Sequence, residues 1–157
     1  MNMLILKNNE PTAENILSLI EIIKQIEREN GLTEKQIIDK YTHNDCLCLA
    51  TMINYVLPTT KMVMLVLDED CFHCFVCADL KEKTNGLPQN KYANFAYFDI
   101  NGKKSFEQAC EYVCLEFNTD TQNVVPVEVK RPILENDIKQ KLLSLVDIEN
   151  KPPVLFE

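Results

Sequence analysis

Apolar residues in the first part of the chain recur at the spacing of α-helices. One such segment opens at the capping residue Thr12 and ends at Asn30-Gly31, a pair of residues typical of a helix end. A second segment opens at Thr33, where the sequence T-E-K-Q forms a capping box. Both segments predict amphipathic helices that pack against the rest of the protein.

A third segment, Asn44 to Leu57, is apolar on both faces of the helix that it predicts. Asn44 or Asp45 is expected to cap this helix, Cys46 stands at its first or second position, and Pro58 ends it. A helix that is apolar on both faces belongs in the protein interior. We therefore expect it to be surrounded by other elements.

Strand-like patterns follow in the middle of the chain. Lys61 to Leu67 is almost wholly apolar and predicts a buried strand, and Cys71 to Leu80 predicts a second strand that forms a hairpin with it. Tyr92 to Ile100 predicts a third, aromatic-rich strand, closed by the turn Asn101-Gly102. The period of two residues places four side chains of the second strand on one face: Cys71, His73, Phe75 and Cys77.

The C-terminal third of the chain predicts two more helices and one more strand. Ser105 opens a helix through the capping box S-F-E-Q, and a last helix is expected from Pro132 to Val146. Between them Val124 to Val129 predicts a strand, which Pro126 restricts to the edge of a sheet. The tail at 151–157 is extended and partly apolar, so it is a candidate site for a protein partner.

Together these elements predict a single α+β domain over residues 1–157. We expect an antiparallel sheet of three to five strands that packs against the buried helix opening at Asn44. The predicted parts are a helical N-terminal part at 1–43, a candidate catalytic core at 44–102, C-terminal helices at 103–150 and the extended tail at 151–157.

The charge and the cysteine content narrow the function classes. The net charge of -8 disfavours nucleic acid and anionic membranes as partners. The apolar run Met3 to Leu6 is too short for a signal peptide or a membrane span, so we expect a cytoplasmic protein. Seven cysteines form an odd number, which predicts free thiols rather than a disulfide framework.

A cysteine in the first turn of a helix is placed for nucleophilic chemistry, because the unpaired N–H groups and the helix dipole stabilise a thiolate there. Cys46 has this position in the predicted buried helix. Cys48 faces away from it and is expected to serve packing. Asp45 precedes Cys46, and its carboxylate either caps the helix or opposes the thiolate.

Thiol catalysis also requires a base, and the chain has two histidines. His43 lies just before the buried helix, at a position expected to be exposed. His73 lies inside a strand between aromatic residues, where an imidazole needs a polar partner. Asp99, at the end of the next strand, can accept a hydrogen bond from one ring nitrogen and fix the tautomer.

These three motifs resemble those of the papain-like cysteine peptidase superfamily. A cysteine opens a buried helix, His73 leads a strand of the form H-x-F-V, and Asp99 closes a strand in Y-F-D-I-x-G. The resemblance covers roughly Asn44 to Gly102. Within the superfamily, the segment is most similar to the transglutaminase-like and NlpC/P60-like branches, including small bacterial and phage members.

The resemblance implies a papain-like core in which the buried helix carries the nucleophile at its N-terminus. It also implies a thiol-dependent acyl-transfer enzyme: a peptidase, amidase, deamidase or transglutaminase-like protein that acts on a protein, peptide or amide substrate. Cys46 would attack the acyl carbon, His73 would act as the general base and Asp99 would orient His73. No cofactor or metal is expected.

Acyl transfer also requires hydrogen-bond donors that stabilise an oxyanion. The backbone N–H of Cys46 is one candidate, and the side chains of Asn44 and Gln36 are candidates for a second.

Two alternatives come from other classes of protein. Cys71, His73, Cys74 and Cys77 offer four metal ligands, but a strand would turn Cys74 away from the others, which argues against zinc. A non-catalytic protein-binding or inhibitor module on the same fold stays open, since the acidic surface would suit a basic partner.

Overall fold

The computed structural model describes residues 4–6, 10–68, 71–79, 91–118 and 124–148. Within these ranges the chain forms five α-helices, a five-stranded antiparallel sheet and a separate two-stranded sheet. The predicted α+β class and the antiparallel sheet are confirmed. The predicted tail at 151–157 lies outside the described residues.

The first two helices begin at the predicted capping residues. Helix α1 spans Ala13–Glu29, and the Thr12 hydroxyl accepts the N–H of Asn15 at 3.1 Å. Helix α2 spans Glu34–Asp39 and has the complete capping box of Thr33. Both helices bury an apolar stripe in the core, formed by Ile16, Leu19, Ile20, Ile23 and Ile37.

The buried helix α3 spans Cys46–Val56, so Cys46 is its first residue. A π-helical turn at Lys40–Asn44 leads into it, and the N–H of Asp45 donates to the carbonyl of Lys40 at 2.9 Å. Asp45 occupies the N-cap position, but its side chain makes no capping hydrogen bond. The helix ends just before Pro58, as predicted.

The main sheet is an antiparallel meander with one added edge strand. Its strands are β2 (Lys61–Val66), β3 (Phe72–Asp79), β4 (Phe95–Asp99), β5 (Gly102–Lys104) and β6 (Val125–Val129). Their order is β5-β4-β3-β2-β6, which confirms the predicted hairpin of β2 with β3 and the edge position of the strand that contains Pro126. Strand β4 is shorter than predicted because Lys91–Asn94 form a 3-10 turn.

Apolar side chains cover both faces of this sheet. On one face Phe75 and Cys77 pack with Val113 of helix α4, which spans Phe106–Glu116 and begins with the predicted capping box of Ser105. On the other face Cys74 and Val76 join the core formed with α1 and α3. This alternation confirms the predicted period of two residues along β3.

The predicted last helix is wrong at both ends. Helix α5 spans Asn136–Leu145, so it begins four residues after Pro132. The intervening chain is not helical: Leu134 enters the core at 7% exposure while Ile133 is 98% exposed. Val146 leaves the helix to open strand β7 (Val146–Ile148), which pairs in parallel with β1 (Leu4–Leu6).

No α-helix in the described ranges has the length and apolarity that crossing a membrane requires.

Candidate active site

His73 lies in the first half of β3 and Cys46 lies beside it, where this strand pairs with only one described strand. The pairing of β3 with β4 begins at Val76, opposite Phe98. Among the described strands, the preceding half of β3 therefore has β2 alone beside it. The start of α3 fills the free side, because the N–H of Cys74 donates to Cys46 Sγ at 3.5 Å. The first residue of the buried helix thus lies against β3.

A hydrogen bond holds His73 against Asp99. The distance from His73 Nε2 to Asp99 Oδ2 is 3.1 Å, and the two residues are only 2% and 1% exposed. The other carboxylate oxygen of Asp99, Oδ1, accepts the N–H of Asn101 at 2.9 Å and Lys104 Nζ at 3.2 Å. A buried carboxylate requires such partners, since leaving it unpaired is costly.

The His73 side chain also interacts with the thiol of Cys46, and each of the two groups shifts the pKa of the other. Because Nε2 is engaged by Asp99, Nδ1 is the ring nitrogen left for the sulfur. Asp99 therefore hydrogen-bonds His73, and His73 in turn interacts with Cys46. The structure brings together the three residues that the sequence motifs singled out.

The electrostatics of the site favour a thiolate at Cys46 and an imidazolium at His73. Burial raises the pKa of Cys46, but the interaction with His73 and the N–H groups of Cys74 and Leu47 outweigh it and lower the pKa below its ordinary value. Burial lowers the pKa of His73, whereas the hydrogen bond to Asp99 and the interaction with Cys46 raise it to about 9. A lowered pKa at Cys46 and a raised pKa at His73 both shift the balance toward a thiolate–imidazolium pair.

Other cysteines lack this environment. Burial raises the pKa of four further thiols: Cys48, Cys74, Cys77 and Cys110. The carboxylate of Asp45 adds to the effect at Cys48, two residues from Cys46 on the same helix. A thiolate is therefore favoured at Cys46 over these four positions.

Two aromatic rings fix the plane of the His73 ring. Phe75 lies edge-on to it with a centroid distance of 4.6 Å, and Tyr112 of α4 lies at 5.3 Å with an interplanar angle of 62°. Lys104 Nζ stands 5.0 Å from the centroid of the Tyr112 ring. Neither Tyr112 nor Lys104 was predicted from the sequence as a site residue.

The remaining predicted residues lie in other local settings. Gln36 is exposed, and its Oε1 accepts the N–H of Thr33 at 2.8 Å in the cap of α2. His43 is exposed, with Nδ1 at 2.8 Å from Glu116 Oε1. The backbone of Asn44 ends the π-helical turn before Cys46, while its side chain lies outside the described part of the structure.

The four residues of the zinc alternative do not converge. Cys74 packs on the side of α3 and Cys77 on the side of α4. Over the described ranges, no group of three or more His, Cys, Asp or Glu side chains is arranged to hold a metal ion.

The Asp99 carboxylate should make the stability of the fold depend on pH in the acid range. Burial raises its pKa, but the bonds from His73 and Asn101 and the charge of Lys104 lower it overall. A carboxyl group whose pKa is lower in the folded state stabilises fully above its unfolded pKa of about 3.9. This contribution is lost as the pH falls through the folded pKa.

Urea unfolding measured from neutral pH to about pH 2 tests this expectation. The wild type should lose about 1.5 to 3 kcal/mol more free energy of unfolding than Asp99→Asn, the usual worth of a hydrogen bond to a charged group. Asp39→Asn, at an exposed position, is the matched control and should follow the wild type. Parallel curves for the wild type and Asp99→Asn would contradict the role of this carboxylate.

Comparison with known proteins adds no assignment. No protein-family model, curated protein or solved structure matches this chain. The geometry and electrostatics of Cys46, His73 and Asp99 are therefore the basis for assigning a function.

Proposed function

We propose that this protein is a thiol-dependent acyl-transfer enzyme with a papain-like core, in which Cys46 is the nucleophile, His73 the acid and base, and Asp99 the residue that orients His73. The observation that carries the proposal is the buried hydrogen bond of Asp99 to His73, which in turn interacts with a thiol at the first residue of a buried helix. The substrate class is a protein, a peptide or another amide.

In the first step the Cys46 thiolate attacks the acyl carbon of the substrate and forms a carbon–sulfur bond. As the tetrahedral intermediate collapses, the His73 imidazolium gives its proton to the leaving nitrogen and the carbon–nitrogen bond breaks. An amine departs, and the acyl group remains on Cys46 as a thioester. Peptide hydrolysis, deamidation and transamidation share this step.

The start of α3 supplies positive potential for the oxyanion of that intermediate. The first N–H groups of a helix have no carbonyl partner within the helix, and the helix dipole adds to their effect. The backbone N–H of Cys46 belongs to this first turn. It is the donor that we assign to the developing negative charge.

In the second step His73 works in the opposite direction. The neutral imidazole removes a proton from water or an amine, whose oxygen or nitrogen attacks the thioester carbon. The bond between that carbon and Cys46 Sγ breaks, and the thiolate returns. Asp99 keeps the proton of the neutral ring on Nε2, so that Nδ1 is free to act as the base.

Thiol reactivity tests the proposal without knowledge of the substrate. Cys48 lies on the same helix as Cys46 and is more exposed. If exposure governed reactivity, iodoacetamide at neutral pH would modify Cys48 first. We expect Cys46 to react first, by tenfold or more, since a difference of about one pKa unit changes the thiolate fraction tenfold.

The two rates are read from one sample by quenching aliquots and locating the added group through peptide fragmentation. Cys48 serves as the internal control for access of the reagent. Equal rates, or faster modification of Cys48, would contradict the activated thiol and favour the alternative of a non-catalytic binding module.

A further inference from the structure

Four side chains form a closed ring of contacts that includes two residues of the candidate site. Lys104 Nζ lies 3.2 Å from Asp99 Oδ1, and Asp99 Oδ2 lies 3.1 Å from His73 Nε2. The His73 ring packs on Tyr112, and the Tyr112 ring returns to Lys104 Nζ at 5.0 Å. Each member thus contacts two others.

The ring places one buried carboxylate between two cations. The Asp99 side chain is 1% exposed and that of Lys104 is 16% exposed, so solvent screens their interaction poorly. On the opposite oxygen the same carboxylate binds His73. A carboxylate that is shared between two positive charges attracts each of them less than it would attract one alone.

We propose that Lys104 is a positioning residue of the candidate triad that acts through Asp99: it shares the Asp99 carboxylate with His73 and so weakens the attraction of that carboxylate for the imidazole proton. The inference rests on the proposed function, because it assigns Lys104 to the same triad. Its consequence for catalysis is that His73 releases its proton more readily to the leaving group.

The protonation of His73 depends on groups from four elements. Cys46 faces it from α3, Asp99 from β4 and Tyr112 from α4, while Lys104 of β5 acts through Asp99. Removing the charge of Lys104 removes its repulsion of the His73 imidazolium. It also leaves His73 as the only one of these two cations that bonds the Asp99 carboxylate. Both effects raise the pKa of His73 above its value of about 9.

Nuclear magnetic resonance titration of the imidazole tests this directly. The chain has two histidines, so exposed His43 provides an internal reference in every sample. In Lys104→Met the midpoint of His73 should rise by roughly one pH unit, while Lys104→Arg should stay near the wild type because it keeps the charge. Lys103→Met, at an exposed position on the same strand, is the matched control and should move neither histidine.

An unchanged or lower midpoint for His73 in Lys104→Met would overturn the proposal, because a purely structural lysine would lower the unfolding temperature without moving the titration. If that variant does not fold, Lys104→Gln keeps a hydrogen-bond donor without the charge and should show the same upward shift. Failure of the proposed function is seen separately, as the absence of a thioester at Cys46 in a protein that still shows the shift.

Discussion

Replacing Cys46 by alanine should abolish the transfer of an acyl group to the protein. In the proposed mechanism the sulfur forms the bond to the acyl carbon, and the four other thiols with a raised pKa are less suited to replace it. With p-nitrophenyl acetate as the acyl donor, the wild type should release a burst of one equivalent of p-nitrophenolate. The burst rate should fall by at least roughly a thousandfold in the variant.

The fold should survive this substitution. Cys46 is 7% exposed and packs in the core, but alanine removes a single sulfur atom, at a cost of about 1 kcal/mol. Circular dichroism and urea unfolding check this. Cys48→Ala is the matched control on the same helix and should keep the burst. A burst that persists in folded Cys46→Ala would exclude Cys46 as the nucleophile.

Replacing His73 by glutamine should lower the burst rate by roughly 10² to 10⁴-fold. The variant loses the acid and base of the mechanism and also the partner of the thiolate. Burial raises the pKa of Cys46, and without His73 only the N–H groups of Cys74 and Leu47 oppose this effect. Glutamine is chosen because its amide can still bond to the buried Asp99 carboxylate, which limits damage to the fold.

The second histidine gives the control. His43 is exposed and pairs with Glu116, so His43→Gln should leave the burst rate near that of the wild type. The pH profile adds a further expectation, since the acid limb reports the thiolate and should move to higher pH in His73→Gln. If the two variants behaved alike, or if His43→Gln lost more activity, the assignment of the base would be wrong.

Local signals were sufficient to predict most of the helices and the central strands. The caps at Thr12, Thr33 and Ser105 act within a few residues, and the structure confirms each of them. The period of two residues along β3 also follows from the sequence alone, because it reflects which face of one strand is buried.

Elements that depend on distant parts of the chain were missed. Strand β1 exists through its pairing with β7 near the other end of the sequence, and neither strand exceeds three residues. The same pairing takes Val146 out of the predicted last helix. Local propensity carries no information about such a partner, so tertiary contacts decide these residues.

The candidate site was predictable from the sequence only where its residues stand in local sequence features. Cys46, His73 and Asp99 were found because a helix start, a polar residue in an apolar strand and a strand end are local features. Lys104 becomes a neighbour of Asp99 through the tight turn at 100–101, with Gly102 at a φ of +105° opposite Asp99. The D-I-N-G sequence signals that turn, but the interaction also needs the side-chain geometry that the structure supplies.

The role of Cys46 as nucleophile is tested by locating the acyl group after reaction of the wild-type protein with p-nitrophenyl acetate. The protein is quenched in acid during the burst, digested, and the acetyl group is located by peptide fragmentation. The proposed mechanism predicts one acetyl group on Cys46, held as a thioester that hydroxylamine removes. An acetyl group on another cysteine or on a lysine, or no acetylated protein at all, would contradict it.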